Sequence, residues 1–161
     1  MAETMNQSDK EFLARAVQLA RENVALGGGP FGALIVKDGK VIAESANRVI
    51  SIPDPTAHAE IETIRLASKN LDTFDLSGTT LYTSCEPCPM CLGAVYWSRI
   101  GRVVFASDRH DAGLAGFRDA ELYEEIAREP HLRATVFEHL EIPGSGLEFD
   151  DWKKSDLKID Y

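Results

Sequence analysis

The first apolar pattern along the chain is helical. Phe12, Leu13, Ala16, Val17, Leu19, Ala20 and Val24 recur at three- and four-residue intervals, the spacing of one helix face. Ser8-Asp9-Lys10-Glu11 ahead of them has the form of a capping box. Gly27-Gly28-Gly29-Pro30 ends the run, because glycine suits a left-handed cap and proline blocks continuation. The period then changes to two. Ala33 to Lys37 and Val41 to Ala46 are strand-like, and Asp38-Gly39 between them predicts a tight hairpin turn. After Pro53-Asp54-Pro55-Thr56, with Thr56 as the expected cap, a second helix is predicted over about residues 57–71, with Ile61, Ile64, Ala67 and Ser68 on one side.

Residues 79–84 read as a strand and 102–106 as another. Between them a third helix is expected to start near Pro87 and to carry Met90, Cys91, Ala94, Val95 and Trp97. Strand, helix and strand in that order imply a right-handed crossover between parallel strands. Residues 107–119 read as irregular, 120–127 as helical and 135–140 as a final strand. Pro143-Gly144-Ser145-Gly146 reads as a flexible joint, and the acidic, aromatic tail 147–161 has room for a short helix through Phe149 and Trp152. The element order predicts an α/β sandwich of three layers with a mixed central sheet.

Composition narrows the function. At 161 residues the chain fits one domain, 1–161, and a hydrophobic fraction of 44% is enough to build its core. No apolar run approaches a membrane span, so no membrane partner is expected. The polar stretch Met1 to Lys10 lacks the pattern of a signal peptide. The expected compartment is therefore the cytoplasm, where thiols stay reduced. A formal net charge of -9, with no dense cluster of Lys and Arg, repels phosphate backbones and disfavours a nucleic-acid partner.

All three cysteines fall within Cys85-Glu86-Pro87-Cys88-Pro89-Met90-Cys91. In a reducing compartment such spacing favours metal or redox use over a disulfide. Cys88 and Cys91, three apart at a helix start, can grip one ion, and a helix N-terminus stabilises their thiolates. His58, at the start of a neighbouring helix, supplies a third ligand. Three protein ligands leave the fourth tetrahedral position of a zinc ion open for water, the mark of a catalytic site. A structural zinc site would want a fourth ligand, and none lies at ligand spacing. A thioredoxin-like redox motif would leave His58-Ala59-Glu60 unexplained. Cys85 is expected in the strand-to-helix turn as a buried small thiol. His58-Ala59-Glu60 with Pro87-Cys88-Pro89-Met90-Cys91 has the form of a zinc deaminase signature. Two thiolates neutralise the zinc, which then acidifies water less than an all-histidine site would, so a nearby base is needed and Glu60 is the candidate. Positions i and i+2 point to opposite sides of an ideal helix, so that role requires irregular geometry at the helix start.

These residues resemble the cytidine and deoxycytidylate deaminase superfamily, and within it the bacterial guanine deaminases. The resemblance runs over nearly the whole chain. It rests on Gly29-Pro30-Phe31-Gly32-Ala33, Asn47, Asp54-Pro55-Thr56-Ala57-His58-Ala59-Glu60, residues 81–94, Tyr96-Trp97-Ser98-Arg99, Ala115-Gly116-Phe117, Asp119 and Tyr161. It implies a cytidine-deaminase-like fold, Zn2+ as cofactor, and hydrolytic deamination of a small nucleobase, most simply guanine to xanthine. It also implies roles: Phe31 stacks on the base, Asn47 bonds its edge, Trp97 walls the pocket, Glu60 shuttles protons, and Asp119 is a second carboxylate near the leaving amine. Tyr161 closes over the base, from the partner chain if the segment 147–161 is exchanged in a homodimer, as that family implies. Each residue also has a plainer explanation. Phe31 suits a core, Asn47 a turn, Trp97 helix packing, Asp119 an N-cap, and Tyr161 a frayed end. Arg118 stands where the family often has an acid, and a positive neighbour would lower the pKa of Asp119. His110 and His131 are expected in irregular stretches and His139 in a strand, with no metal role. Guanosine deaminase, then a cytosine or triazine deaminase, are the enzymatic alternatives; a zinc-stabilised binding protein is the non-enzymatic one.

Overall fold

The structure, a computed structural model, describes residues 7–161. The predicted hairpin is present. Strand β1 (Gly32–Lys37) and strand β2 (Lys40–Ala46) pair antiparallel. Asp38 and Gly39 both take positive φ, 50° and 73°, as a tight turn matched to strand twist requires. The pairing passes from Ile35↔Ala43 to Val36↔Val41, so Ile42 is a bulge. Strand β3 (Thr80–Cys85) adds antiparallel to the other edge of β1, and strand β4 (Arg102–Ser107) pairs parallel with β3. Among the described residues the sheet order is β2-β1-β3-β4, and the sheet is mixed.

Helices cover both faces. Helix α1 (Gln7–Ala25) packs through Phe12, Leu13, Ala16 and Leu19 against Leu34, Val36, Tyr82 and Val104. Helices α2 (Ala59–Leu71) and α3 (Pro89–Trp97) meet the opposite face, where Ala59, Ala67 and Val95 join Ala33, Ile35 and Leu81. Successive residues of β1 thus enter different cores, which is why Ala33-Leu34-Ile35-Val36 is apolar throughout rather than alternating. Asp9 ties the α1 layer to the sheet: Arg102 grips it at 2.7 and 2.9 Å and the Tyr82 hydroxyl donates at 2.6 Å. The contact between α1 and β1 is close enough to forbid a side chain at Gly32. A Cβ there would lie 2.4 Å from the Ala16 carbonyl oxygen and 2.7 Å from the Ala20 nitrogen, both backbone atoms. Gly32→Ala is expected to cost about 1–3 kcal/mol by overpacking, read as a lowered melting temperature; an unchanged melting curve would show that α1 can move away.

Several boundaries differ from expectation. Ser8 and Asp9 lie inside α1 rather than capping it, and Asp9 turns inward to its ion pair. Thr56 does not cap α2. Its backbone and hydroxyl both donate to Asp54 Oδ1, and the helix begins at Ala59. Helix α3 begins at Pro89 rather than near Pro87, and Cys85 closes β3 rather than sitting in the turn. Residues 107–119 are not irregular throughout: helix α4 (Arg109–Leu114) forms there, carries His110, and starts with a capping box between Asp108 and Asp111. Helix α5 (Asp119–Ala127) and helix α6 (Leu147–Lys154) match the pattern, whereas residues 135–140 pair with no strand, so His139 lies in coil. His131 falls in a 3-10 turn, Pro130–Leu132. Among the described residues no helix is long and apolar enough to cross a membrane.

Candidate metal centre and active-site cavity

Two helix starts bring the proposed ligands together. His58 is the N-cap of α2, with φ -65° and ψ 155°, and Cys88 is the N-cap of α3, with φ -65° and ψ 168°. Neither side chain caps its own helix, so both are available to a shared point. Pro89 occupies the first helical position, where its missing N–H costs nothing, and Cys91 follows on the first turn. His58 Nδ1 lies 3.6 Å from Cys88 Sγ and 3.6 Å from Cys91 Sγ. The three ligand atoms all lie within 4.8 Å of one another. Zinc–sulfur bonds of about 2.3 Å and zinc–nitrogen bonds of about 2.0 Å, at a tetrahedral angle, put nitrogen and sulfur about 3.5 Å apart. The trio therefore has the size of a zinc site.

Its protonation points the same way. The Cys88 thiol is pushed down to about 4, chiefly by the hydrogen bond from Cys91, with His58 adding to it. Cys91 is pushed up by that same hydrogen bond and by burial. His58 is raised, first by its hydrogen bond to Cys88, against the effect of burial. Two buried thiols and a half-buried imidazole thus share protons around one negative charge, an arrangement in which a dication replaces the protons. All three cysteines are free thiols; Cys85, buried, places its sulfur 3.6 Å from the Asp108 carbonyl oxygen.

Glu60 is the second residue of α2 and is only 4% exposed. Burial above all raises its carboxyl to about 7, and the charge of Cys88 pushes the same way. The Thr83 hydroxyl, reaching across from β3, donates to Glu60 Oε1 at 3.4 Å. The opposite-sides objection to His58 and Glu60 dissolves, because His58 has extended backbone and only Glu60 is in the helix. Both open on one cavity of about 410 Å³, lined also by Phe31, Asn47, Glu86, Cys88, Phe117 and Asp119. Asp119 is the first residue of α5, not its N-cap. Its carboxyl is raised, first by burial and then by the charge of Cys88. The expected lowering by Arg118 does not occur: that guanidinium points outward to Glu121 at 2.6 Å.

The substrate-binding candidates divide into two places. Phe31 packs edge-on against Phe117, with ring centroids 4.7 Å apart. Asn47 is buried, and its Oδ1 accepts the Val49 N–H at 3.2 Å. That leaves the amide –NH2, a donor, as what the side chain offers the cavity. Trp97 and Tyr161 do not line this cavity within one chain. They stack at 6.0 Å beside Phe74 and Trp152, around a separate apolar hollow of about 540 Å³ between α2 and α3. The sequence reading missed Thr83, Glu86 and Phe117. Thr83 was hidden as an ordinary strand residue; Gly116-Phe117 carried a signal in the resemblance but no assigned role.

Residues 6–107 match the cytidine and deoxycytidylate deaminase zinc-binding region. The chain is 48% identical to guanine deaminase of Bacillus subtilis over 151 residues, 93% of this chain and 97% of that one. The crystal structure of a Bacillus subtilis guanine deaminase superposes with a TM-score of 0.92 at 47% identity, covering 98% and 99% of the two chains. A tRNA-specific adenosine deaminase of Haemophilus influenzae is 41% identical over 118 residues, 73% of this chain and 68% of that one. A matching zinc-binding region over more than half the chain, a His–Cys–Cys trio of zinc dimensions and full-length similarity within the group place this chain in the cytidine and deoxycytidylate deaminase family.

Proposed function

We propose that this chain is a zinc-dependent guanine deaminase, converting guanine and water to xanthine and ammonia. One observation carries the reading: a dry carboxyl, Glu60, beside the His58–Cys88–Cys91 trio, at the end of a cavity whose buried amide donor suits a purine 6-oxo group. Similarity to the Bacillus subtilis guanine deaminase across 93% of the chain supports the same substrate. The tRNA-acting relatives match a smaller share, and a net charge of -9 opposes a phosphate backbone.

His58, Cys88 and Cys91 would hold the zinc, which when bound would supply the Lewis acidity for a water nucleophile near neutral pH. Phe31 stacks on the purine and Asn47 donates to its 6-oxo oxygen, which orients C2 toward the trio. Glu60 takes a proton from the attacking water and delivers it to a ring nitrogen. Oxygen adds to C2, and the proton of the resulting hydroxyl, passed through Glu60 and Asp119 to the exocyclic amine, lets that C2–N bond break so that ammonia leaves and a C2 carbonyl forms. Burial of Glu60, with Asp119 half-buried beside it, limits the access of bulk water to those transfers. Three reduced thiols in so small a site suit the cytoplasm.

The chain acts as a homodimer with an exchanged C-terminal segment, 147–161. No residue after Ala112 is buried among the described residues, although Phe137, Leu140, Phe149 and Trp152 are apolar. An apolar segment without a core of its own needs a second surface, and a second copy offers one at low cost. Because Tyr161 clusters with Trp97 away from its own cavity, it reaches a base only as the partner's residue. Chains lacking Tyr161 and chains carrying Glu60→Ala are each expected to be nearly inactive alone. Coexpressed, they are expected to regain turnover, since one mixed site has every part. No regain, or a monomer by light scattering, would end the exchange.

A panel of guanine, guanosine, cytosine, a triazine and tRNA, read by ammonia release, tests the substrate. Guanine is expected to be preferred by kcat/KM. Preference for guanosine would move the reading to a nucleoside deaminase, and ammonia from none of them to a zinc-stabilised binding protein.

A further inference from the structure

We propose that Glu86, Arg109 and Tyr123 form a clamp that positions Asp119 in the active-site cavity. The inference rests on the role given to Asp119 above. The Asp119 carboxylate has no hydrogen-bond partner among the described residues, so its place is set through its helix alone. That helix is poorly anchored, since α5 buries no residue. Its other polar side-chain contacts stay local: Arg118 with Glu121, and the stretch 125–128 with Arg133 and Ala134.

Tyr123 is the exception. Its hydroxyl donates at 2.6 Å to the carbonyl oxygen of Pro87, the residue before Cys88. Four residues apart on one helix, Asp119 and Tyr123 share a face. The Tyr123 ring is held in turn. The Arg109 guanidinium lies over it, 3.6 Å from the centroid. Arg109 is itself fixed by Glu86, through Nε at 3.0 Å and through its backbone N–H at 3.1 Å, with a further guanidinium bond completing a two-pronged grip. Glu86 sits between β3 and Cys88, and its N–H donates to Ser107 at 2.8 Å. A continuous path therefore runs from the sheet through Glu86, Arg109 and Tyr123 to the helix that carries Asp119, and the Tyr123 hydroxyl ties that helix to Pro87, one residue from a metal ligand. Glu86 lines the cavity as well, so a misplaced clamp distorts the same space Asp119 occupies.

These three are positioning residues, and their effect should fall on turnover rather than on binding. Tyr123→Phe keeps the ring and removes the bond to Pro87. In the full-length, zinc-loaded protein it is expected to lower kcat for guanine about tenfold, the scale of a small misplacement of a reacting group, with KM altered less than about twofold. Zinc per chain should not change. Combined with Asp119→Asn, and followed under single turnover with excess enzyme, the same substitution is expected to cost less than about twofold, because the residue it positions is gone. Arg109→Gln should repeat the pattern and serves if Tyr123→Phe does not fold. An equal loss in both backgrounds, a loss confined to KM, or no loss at all overturns the clamp. A fully active Asp119→Asn overturns it differently, by removing Asp119 from the reaction and with it the role proposed above.

Discussion

Replacing Glu60 by glutamine is expected to lower kcat for guanine by about a thousandfold or more, with KM little changed and one zinc per chain retained. General acid–base catalysis by a placed carboxylate is worth roughly 10²–10⁴ in rate, and Glu60 is asked to move a proton more than once in each turnover. Glutamine keeps the size and the hydrogen bond from Thr83 while removing the exchangeable carboxyl. The substitution also separates two roles. Losing a carboxylate that acts only in the transition state lowers kcat and kcat/KM together, whereas losing one that only holds substrate raises KM. Steady-state kinetics with metal analysis on the same sample decide this. A rate within about tenfold of the parent, with zinc bound, would remove Glu60 from the centre of the scheme.

Removing the metal is expected to be at least as costly. Without a cation, one thiolate, one thiol and one imidazole remain packed together, with Nδ1 3.6 Å from each sulfur. Dialysis against a chelator should abolish ammonia release and lower the melting temperature, because the ligands belong to the folded state and their affinity adds to its stability. One equivalent of zinc per chain should restore both. Cys91→Ser, which replaces a fully buried ligand, should reproduce the metal-free protein and resist rescue. Full turnover in a sample shown to hold no metal would contradict the assignment of the trio.

Much of this was legible in the chain, and the exceptions share a cause. Asp38-Gly39 announced its hairpin because both residues tolerate positive φ. His58, Cys88 and Cys91 were legible because ligand chemistry restricts residue type and spacing together. The helix starts were misplaced by two residues because Thr56 and Pro87 carry ordinary start signals, while the true N-caps are the metal-facing His58 and Cys88. A residue that turns to a metal cannot also announce a helix by capping it. Helix α4 was overlooked because fewer than two turns leave little apolar periodicity, although Asp108 and Asp111 form a capping box at its start. Residues 135–140 carry the β-branched and aromatic residue types of a strand but meet no sheet edge, and propensity without a partner does not make a strand. Trp97 and Tyr161 show the same limit at a larger scale. The resemblance implied a pocket wall, yet within one chain they line a separate hollow, and under the exchange proposed above whose pocket they wall would depend on two chains.

Asp119 and Arg118 add a further lesson. Neighbours in sequence suggested a lowered pKa, yet the first turn of α5 sends the two side chains apart, one to the cavity and one to Glu121. Burial and the thiolate of Cys88 then set the direction for Asp119. A carboxyl that holds its proton more readily is better placed to hand one to a departing amine.

The measurement that bears most directly on the central claim follows oxygen and nitrogen together. Zinc-loaded protein given guanine in water enriched with heavy oxygen should release one ammonia for each xanthine formed, with the label at C2 of the product, and the Glu60→Gln protein should yield neither at a comparable rate. Xanthine without label, ammonia without xanthine, or no reaction of guanine at any protein concentration would contradict hydrolytic deamination at this site.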